Sequence, residues 1–137
     1  MSVIYAQERG LPVADYVAVL GSTYMKEKRP LANTARIAKI LEGSNFIVTA
    51  RDVDTGAIMG LARGISDGEW VCYLADVVVH TSHQGKGIGS ALLAECKRIL
   101  GPGMGIILVA YPEAEAFYRR IGMGEMPAFY VDRQVST

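Results

Sequence analysis

The chain has 137 residues, half of them hydrophobic, and its fourteen basic residues balance fourteen acidic ones. That length suits one domain, residues 1–137, with a proper core, and the charge balance lacks the basic excess that nucleic-acid binding uses. No apolar run approaches the ~18 residues of a membrane span, the start lacks a secretory leader's charged-then-apolar layout, and Cys72 and Cys96 are too few for a disulfide framework, so a reduced, cytoplasmic protein is expected.

Residues 3–6 suit a short first strand. Val13, Tyr16, Val17, Leu20 and Tyr24 recur at helical spacing, which predicts a helix from Val13 to Met25 with Pro12 at its start. Lys26-Glu-Lys-Arg-Pro30 breaks that pattern. Asn33 or Thr34 is placed to cap a second helix carrying Ile37, Ile40 and Leu41, with Gly43 as its stop. Phe46 to Ala50 then reads as a strand, Asp54-Thr-Gly56 as a tight turn and Ala57 to Ile65 as the returning strand. A second turn at Ser66-Asp-Gly68 leads into a long strand, Glu69–Val79. A helix follows from Ile88, then a strand at Ile106–Ala110, a short helix at Glu113–Ile121 and a last strand at Met126–Arg133. This order predicts a mixed α/β fold of about six strands flanked by about four helices, antiparallel early and parallel around the central crossover helix.

Between the long strand and the central helix lies Gln84-Gly-Lys-Gly-Ile-Gly89. A strand that passes through a glycine loop into a helix start is an anion site: the first helical N–H groups have no partner within the helix, and the dipole adds partial positive charge there. Gly85, Gly87 and Gly89 let the backbone approach a phosphate, and Lys86 adds a mobile charge. A dinucleotide fingerprint is excluded, because the spacing Gly85-x-Gly87-x-Gly89 is wrong and the next strand ends in Tyr111-Pro112 without an acid. A Walker A loop is absent too.

Val77-Val-Val-His-Thr-Ser-His-Gln-Gly-Lys-Gly-Ile-Gly-Ser-Ala-Leu-Leu93 resembles the cofactor motif of the GNAT superfamily of acyl-CoA-dependent N-acyltransferases, Arg/Gln-x-x-Gly-x-Gly/Ala, met by Gln84, Gly87 and Gly89. Ala116-Phe-Tyr-Arg-Arg-Ile-Gly-Met123 is similar to that family's second signature. The resemblance implies acetyl-CoA as co-substrate, in a cleft between the fourth and fifth strands, and no metal. Backbone groups of Val77, Val78 and Val79 would pair with the pantetheine arm, N–H groups across Gln84, Gly85, Lys86, Gly87, Ile88 and Gly89 would hold the pyrophosphate, and Ser90 would add a hydroxyl or N–H. Tyr118 matches the tyrosine that faces the thioester sulfur, where a phenol of reference pKa ~10 suits a departing thiolate. A packed aromatic beside Phe117 is the alternative. The family's asparagine after the fifth strand is missing from Ala110-Tyr-Pro-Glu113.

For the base, Asp76 is the first candidate: a carboxylate in an apolar strand must be paired, hydrogen-bonded or perturbed. By alternation it shares a face with Leu74 and Val78 unless a bulge intervenes. A structural acid bonded to backbone or arginine is the equal alternative. Glu69, His80, His83 and water remain open. Both cysteines read as buried small hydrophobes, which favours direct attack over an acyl-enzyme. The expectation is an N-acetyltransferase moving acetyl to a primary amine of a small molecule, with a non-catalytic acyl-CoA-binding module as the alternative. The short C-terminal part predicts that a second copy completes the sheet edge as a homodimer, with Phe129 and Tyr130 as contacts.

Overall fold

The computed structural model describes residues 2–137. Five strands, β1 (Val3–Gln7), β2 (Phe46–Asp52), β3 (Ile58–Ser66), β4 (Val71–Val79) and β5 (Gly105–Leu108), form one sheet in chain order. The first three pairings are antiparallel and β4–β5 is parallel. The parallel pair needs a crossover, supplied by α3 (Ile88–Leu100). Helices α1 (Val13–Gly21) and α2 (Thr34–Glu42) precede β2, and α4 (Pro112–Arg120) follows β5.

Two apolar clusters sandwich the sheet. Leu92, Leu93 and Cys96 of α3 pack with Phe46, Val48, Met59, Cys72 and Leu74, and Phe117, Tyr118 and Ile121 join from the α4 side. Tyr16, Val19 and Leu20 of α1 and Ile37 and Leu41 of α2 pack with Ile47, Leu61 and Val78.

Helix α1 stops four residues before the expected Met25, for a local reason. The hydroxyls of Ser22 and Thr23 donate back to the carbonyls of Val19 and Leu20, and Thr23 Oγ1 then accepts from Met25 N at 3.1 Å, capping a 3-10 turn at Tyr24–Glu27. Hydroxyls that satisfy the last carbonyls and the next donors end one helix and begin another. Helix α2 follows expectation: Asn33 Oδ1 accepts from Arg36 N at 3.1 Å, and Gly43 follows the last turn.

The register of β3 against β4 slips between Arg63 and Gly64, so that Arg63 faces Asp76 while Gly64 faces Leu74. Ala75 is the extra residue of a bulge. Beyond it the strand presents the opposite parity. Cys72 and Leu74 pack toward α3, as do Val77 and Val79, whereas Val78 packs toward α1. Asp76 therefore shares a face with Val78 but not with Leu74.

The sixth strand does not form. Residues 123–137 adopt no regular element, and Met126, Phe129, Tyr130 and Val131 are exposed. A strand needs a hydrogen-bonded neighbour. Here the tail's carbonyls at Val135 and Thr137 accept instead from Arg36 Nη1.

Candidate functional site

Strands β4 and β5 are paired from Val71 with Gly105 to Leu74 with Leu108, and no further. Beyond Leu74 they diverge, and a cleft of about 670 Å³ opens alongside the C-terminal half of β4, a size within the usual range for small-molecule sites. Its walls are Thr23–Met25, Val77–Val79, the glycine loop with the start of α3, and α4 residues from Glu113 to Arg120.

The backbone on the β4 wall can be sorted by pairing. His80 N–H donates to Met59 C=O at 2.9 Å. Antiparallel partners alternate between hydrogen-bonded and open pairs, so Val78 opposite Leu61 and Asp76 opposite Arg63 turn their polar groups to β3. Val77 and Val79 turn theirs the other way, into the cleft. Gln84 Nε2 reaches back to donate to Val79 O at 3.1 Å, as that orientation requires. Of the three valines expected to pair with a ligand arm, Val77 and Val79 turn their backbone groups toward the cleft, the Val79 carbonyl already accepting from Gln84, and Val78 does not.

At the loop, Gly85 and Gly87 have φ of 77° and 82°, the left-handed region that glycine enters without strain. Gly89 is needed for another reason: a Cβ there would lie 3.2 Å from Phe117 Cζ, where α3 and α4 meet. Helix α3 begins on Gly87 with no side-chain cap, and its first backbone bond runs from Ala91 N to Gly87 O. The N–H groups of Ile88, Gly89 and Ser90 thus have no helical acceptor, and these three residues line the cleft together with Gln84, Gly85 and Gly87. Lys86 is exposed and is not part of the lining.

Tyr118 lines the opposite wall, with its ring edge-on to Phe117 at 5.1 Å. Burial, reinforced by Tyr24 and the Asp76 charge, pushes its phenol up to about 12 rather than leaving it near 10. It stays protonated across the neutral range.

Asp76 is 1% exposed and does not line the cleft. Its Oδ2 accepts from Tyr16 OH at 2.6 Å and Arg63 Nε at 2.5 Å, and its Oδ1 accepts from Arg29 Nε at 3.0 Å. Both oxygens are committed, so an incoming amine has no route to them. Glu69 lies in the turn before β4, roughly 25 Å along the strand from Val77. His80 Nδ1 accepts from Ser82 N at 3.1 Å. His83 lines the cleft, and its Nδ1 is shielded and has no partner. Cys72 and Cys96 are buried free thiols, and burial pushes Cys96 up to about 12. Neither is an activated nucleophile.

Glu113 and Arg120 also line the cleft, and periodicity gave no reason to single them out. They sit seven residues apart on α4, roughly 10 Å, and give its two ends opposite charge. Among the described residues, no group of three His, Cys, Asp or Glu side chains is placed to hold a metal ion, and no helix is long and apolar enough to cross a membrane.

A family model described as an acetyltransferase (GNAT) domain matches residues 42–122. The chain is 30% identical over 128 residues to serotonin N-acetyltransferase 2, chloroplastic, of Oryza sativa subsp. japonica, covering 86% of this chain and 64% of that protein. It spans 58% to 64% of the length of the curated relatives it matches. A GNAT-family acetyltransferase structure from Streptococcus pneumoniae TIGR4 superposes with a TM-score of 0.73 at 21% identity, covering 97% of this chain and 100% of that one. An aminoglycoside N-acetyltransferase solved in complex with CoA gives a TM-score of 0.69 at 16% identity, with 97% and 95% covered. These two likenesses concern the fold.

Proposed function

The chain belongs to the GNAT acetyltransferases, and on that premise we propose that it moves an acetyl group from acetyl-CoA to a primary amine of a small molecule by direct attack in a ternary complex. The observation that carries this reading is the meeting of two unsatisfied backbone surfaces in one cleft: the free edge at Val77 and Val79, and the uncapped start of α3. An extended chain of amides ending in a diphosphate satisfies both, by strand-like pairing along the edge and anion binding at the helix start.

Val77 and Val79 hold the pantetheine arm, and the N–H groups of Gly85, Gly87, Ile88, Gly89 and Ser90 hold the pyrophosphate, with Gln84 steadying the turn. His83 or a water it positions takes a proton from the ammonium. The amine nitrogen then bonds to the thioester carbon, the C–S bond breaks, and its electron pair leaves on sulfur. Tyr118 donates its proton to that thiolate, and the proton shed by the new amide nitrogen restores the phenol through solvent. A main-chain N–H at Val77 is suited to steady the carbonyl oxygen as charge develops. Asp76 has no proton-transfer role in this scheme.

We place this activity in residues 1–137 as one unit, in the cytoplasm. We assign it to a homodimer joined at the β5 edge, where Ile107 and Val109 are about half exposed and Phe129 and Tyr130 still more so. A mass in light scattering that stays monomeric at every concentration overturns the dimer.

Calorimetry with CoA, ATP and NAD, followed by an amine panel read by free-thiol release, tests the enzyme reading. Binding of CoA alone, with thiol release on at least one amine, is expected. No CoA binding at millimolar levels overturns it, and binding without release on any amine turns it into a non-catalytic acyl-CoA-binding module.

A further inference from the structure

Around Asp76 two guanidiniums and a phenol converge on one buried carboxylate, and the side chains come from parts of the fold that need not otherwise meet. Tyr16 comes from α1, Arg63 from β3 and Arg29 from the segment after the 3-10 turn. Arg63 Nη1 also donates to Ser44 Oγ at 3.0 Å, at the end of α2. The Asp76 side chain is fully enclosed, and those of Arg63 and Arg29 are 8% and 16% exposed. Burying such ions costs several kcal/mol each before any pairing, and apolar side chains of similar volume often stabilise a fold better. Two positive groups for one negative leave the cluster unbalanced as well. Stability alone is a weak reason for this arrangement, whereas fixing the position of mobile parts is a good one.

What Arg29 does with its other donors shows which parts. Nη2 donates to the carbonyl of Ala75, the bulge residue, at 2.9 Å. Nη1 donates to Lys28 O at 2.8 Å and to Tyr111 OH at 3.3 Å, at the start of α4. Tyr111 in turn meets the ring of Tyr24 edge-on at 6.1 Å. The Thr23–Met25 wall lies between two anchors. At its near end Thr81 N donates to Ser22 Oγ at 3.1 Å, and Thr81 Oγ1 donates to Ser22 O. At its far end Arg29 is locked to Asp76.

We infer that Asp76 is a positioning residue that acts through Arg29, pinning the Thr23–Met25 wall and the start of α4 to the β4 bulge and thereby setting the width of the cleft at its thioester end. This rests on the acyl-CoA reading above and deepens it. The interaction depends on a planar fork that reaches a carboxylate, a carbonyl and a phenol together, which a lysine ammonium cannot reproduce. Arg29→Lys and Arg29→Gln are therefore expected to behave alike.

The test compares wild type, Arg29→Lys and Arg29→Gln for CoA affinity by calorimetry, for KM and kcat with acetyl-CoA, and for melting temperature. Both variants are expected to weaken CoA and raise KM on the order of tenfold, with kcat much less affected, the pattern of lost binding shared by ground and transition states. Full activity in Arg29→Lys overturns the inference in favour of simple charge. Unchanged KM in variants that fold overturns it outright. Should neither variant fold, Tyr111→Phe removes one acceptor of Arg29 while leaving the ion pair; a raised KM supports the inference and an unchanged one overturns it. A wild type that ignores CoA defeats the acyl-CoA reading itself, a result separate from all of these.

Discussion

Between Cys72 and Leu74, β4 is paired on both edges; between Val77 and Val79 it is paired on one. The same strand, of similar composition throughout, thus does two jobs on either side of a bulge at Ala75. Its first half is sheet interior. Cys72 and Leu74 are buried and their polar groups belong to the β3 and β5 ladders. Its second half has lost β5 as a neighbour, and its free polar groups face a cleft that ends at an uncapped helix. An unpaired strand edge is ordinarily a liability, and the divergence of β5 turns it into a place for an extended ligand. Five substitutions break or sharpen this contrast.

The largest effect is expected at Tyr118, which lines the cleft beside the second half. Tyr118→Phe keeps the ring that packs against Phe117 and removes the proton donor. It should lower kcat by about 10²-fold or more while leaving CoA affinity nearly unchanged. A loss confined to KM would make Tyr118 a wall and not an acid. The pH dependence has a definite sign. Burial raises the phenol from its ordinary 10 to about 12, and Cys96 is raised in the same direction from about 9. The stability these two neutral groups contribute is complete below about 9 and is lost as pH rises toward 12. Melting temperature should fall through that window, and the fall should be shallower in Cys96→Ala.

Next comes the bulge that separates the halves. A Cβ on Gly64 would sit 2.8 Å from Tyr73 O and 3.0 Å from Leu74 Cδ2. Backbone cannot yield as a flexible side chain can, so Gly64→Ala should destabilise the fold by about 1–3 kcal/mol, read from urea midpoints. A neutral result would mean that the bulge tolerates repacking and does not divide the strand sharply. A smaller effect belongs to Gly87. Nothing lies within 4 Å of a Cβ built there, but its φ is 82°. Gly87→Ala should therefore cost about 1–2 kcal/mol through backbone conformation alone and weaken CoA as the turn relaxes.

The two halves of β4 also differ in how far they could be read ahead. The apolar run, the glycine loop and the start of α3 were legible because strand composition, turn glycines and helical periodicity all point one way. The cap of α2 was legible to within one residue, Asn33 or Thr34, and Asn33 makes it. The parity change at Ala75 was not, since a bulge is set by the register of two strands and leaves no local residue signal; it moved Leu74 to the opposite face from Asp76. For Asp76 a bond to arginine stood as one of two equal readings, but its particular partners were illegible for a related reason. Its partners Tyr16, Arg29 and Arg63 lie 60, 47 and 13 residues away in the chain, and periodicity carries no information about such meetings. The segment from Met126 has the residues of a strand but forms no ladder with the free edge of β5, so composition alone misjudged it.

The smallest expected effect is at Lys86, and it separates the two components of the anion site. Its side chain is exposed and outside the cleft lining, while the backbone of the same loop is held in place by two left-handed glycines. A charge in open solvent is screened, with a Debye length of about 10 Å at 0.1 M salt, and exposed ion pairs are generally worth about 0–1 kcal/mol. Lys86→Ala should therefore weaken CoA by about two- to fivefold at low ionic strength, and the difference should vanish by about 0.5 M salt, where screening is stronger. The affinity that survives in both proteins at high salt measures the part supplied by oriented main-chain N–H groups, which act at contact distance and are screened little. A loss that persists at high salt would mean that Lys86 folds over a bound diphosphate and is desolvated there. The cleft's grip would then depend on a side chain as well as on the backbone that the unpaired half of β4 leads into.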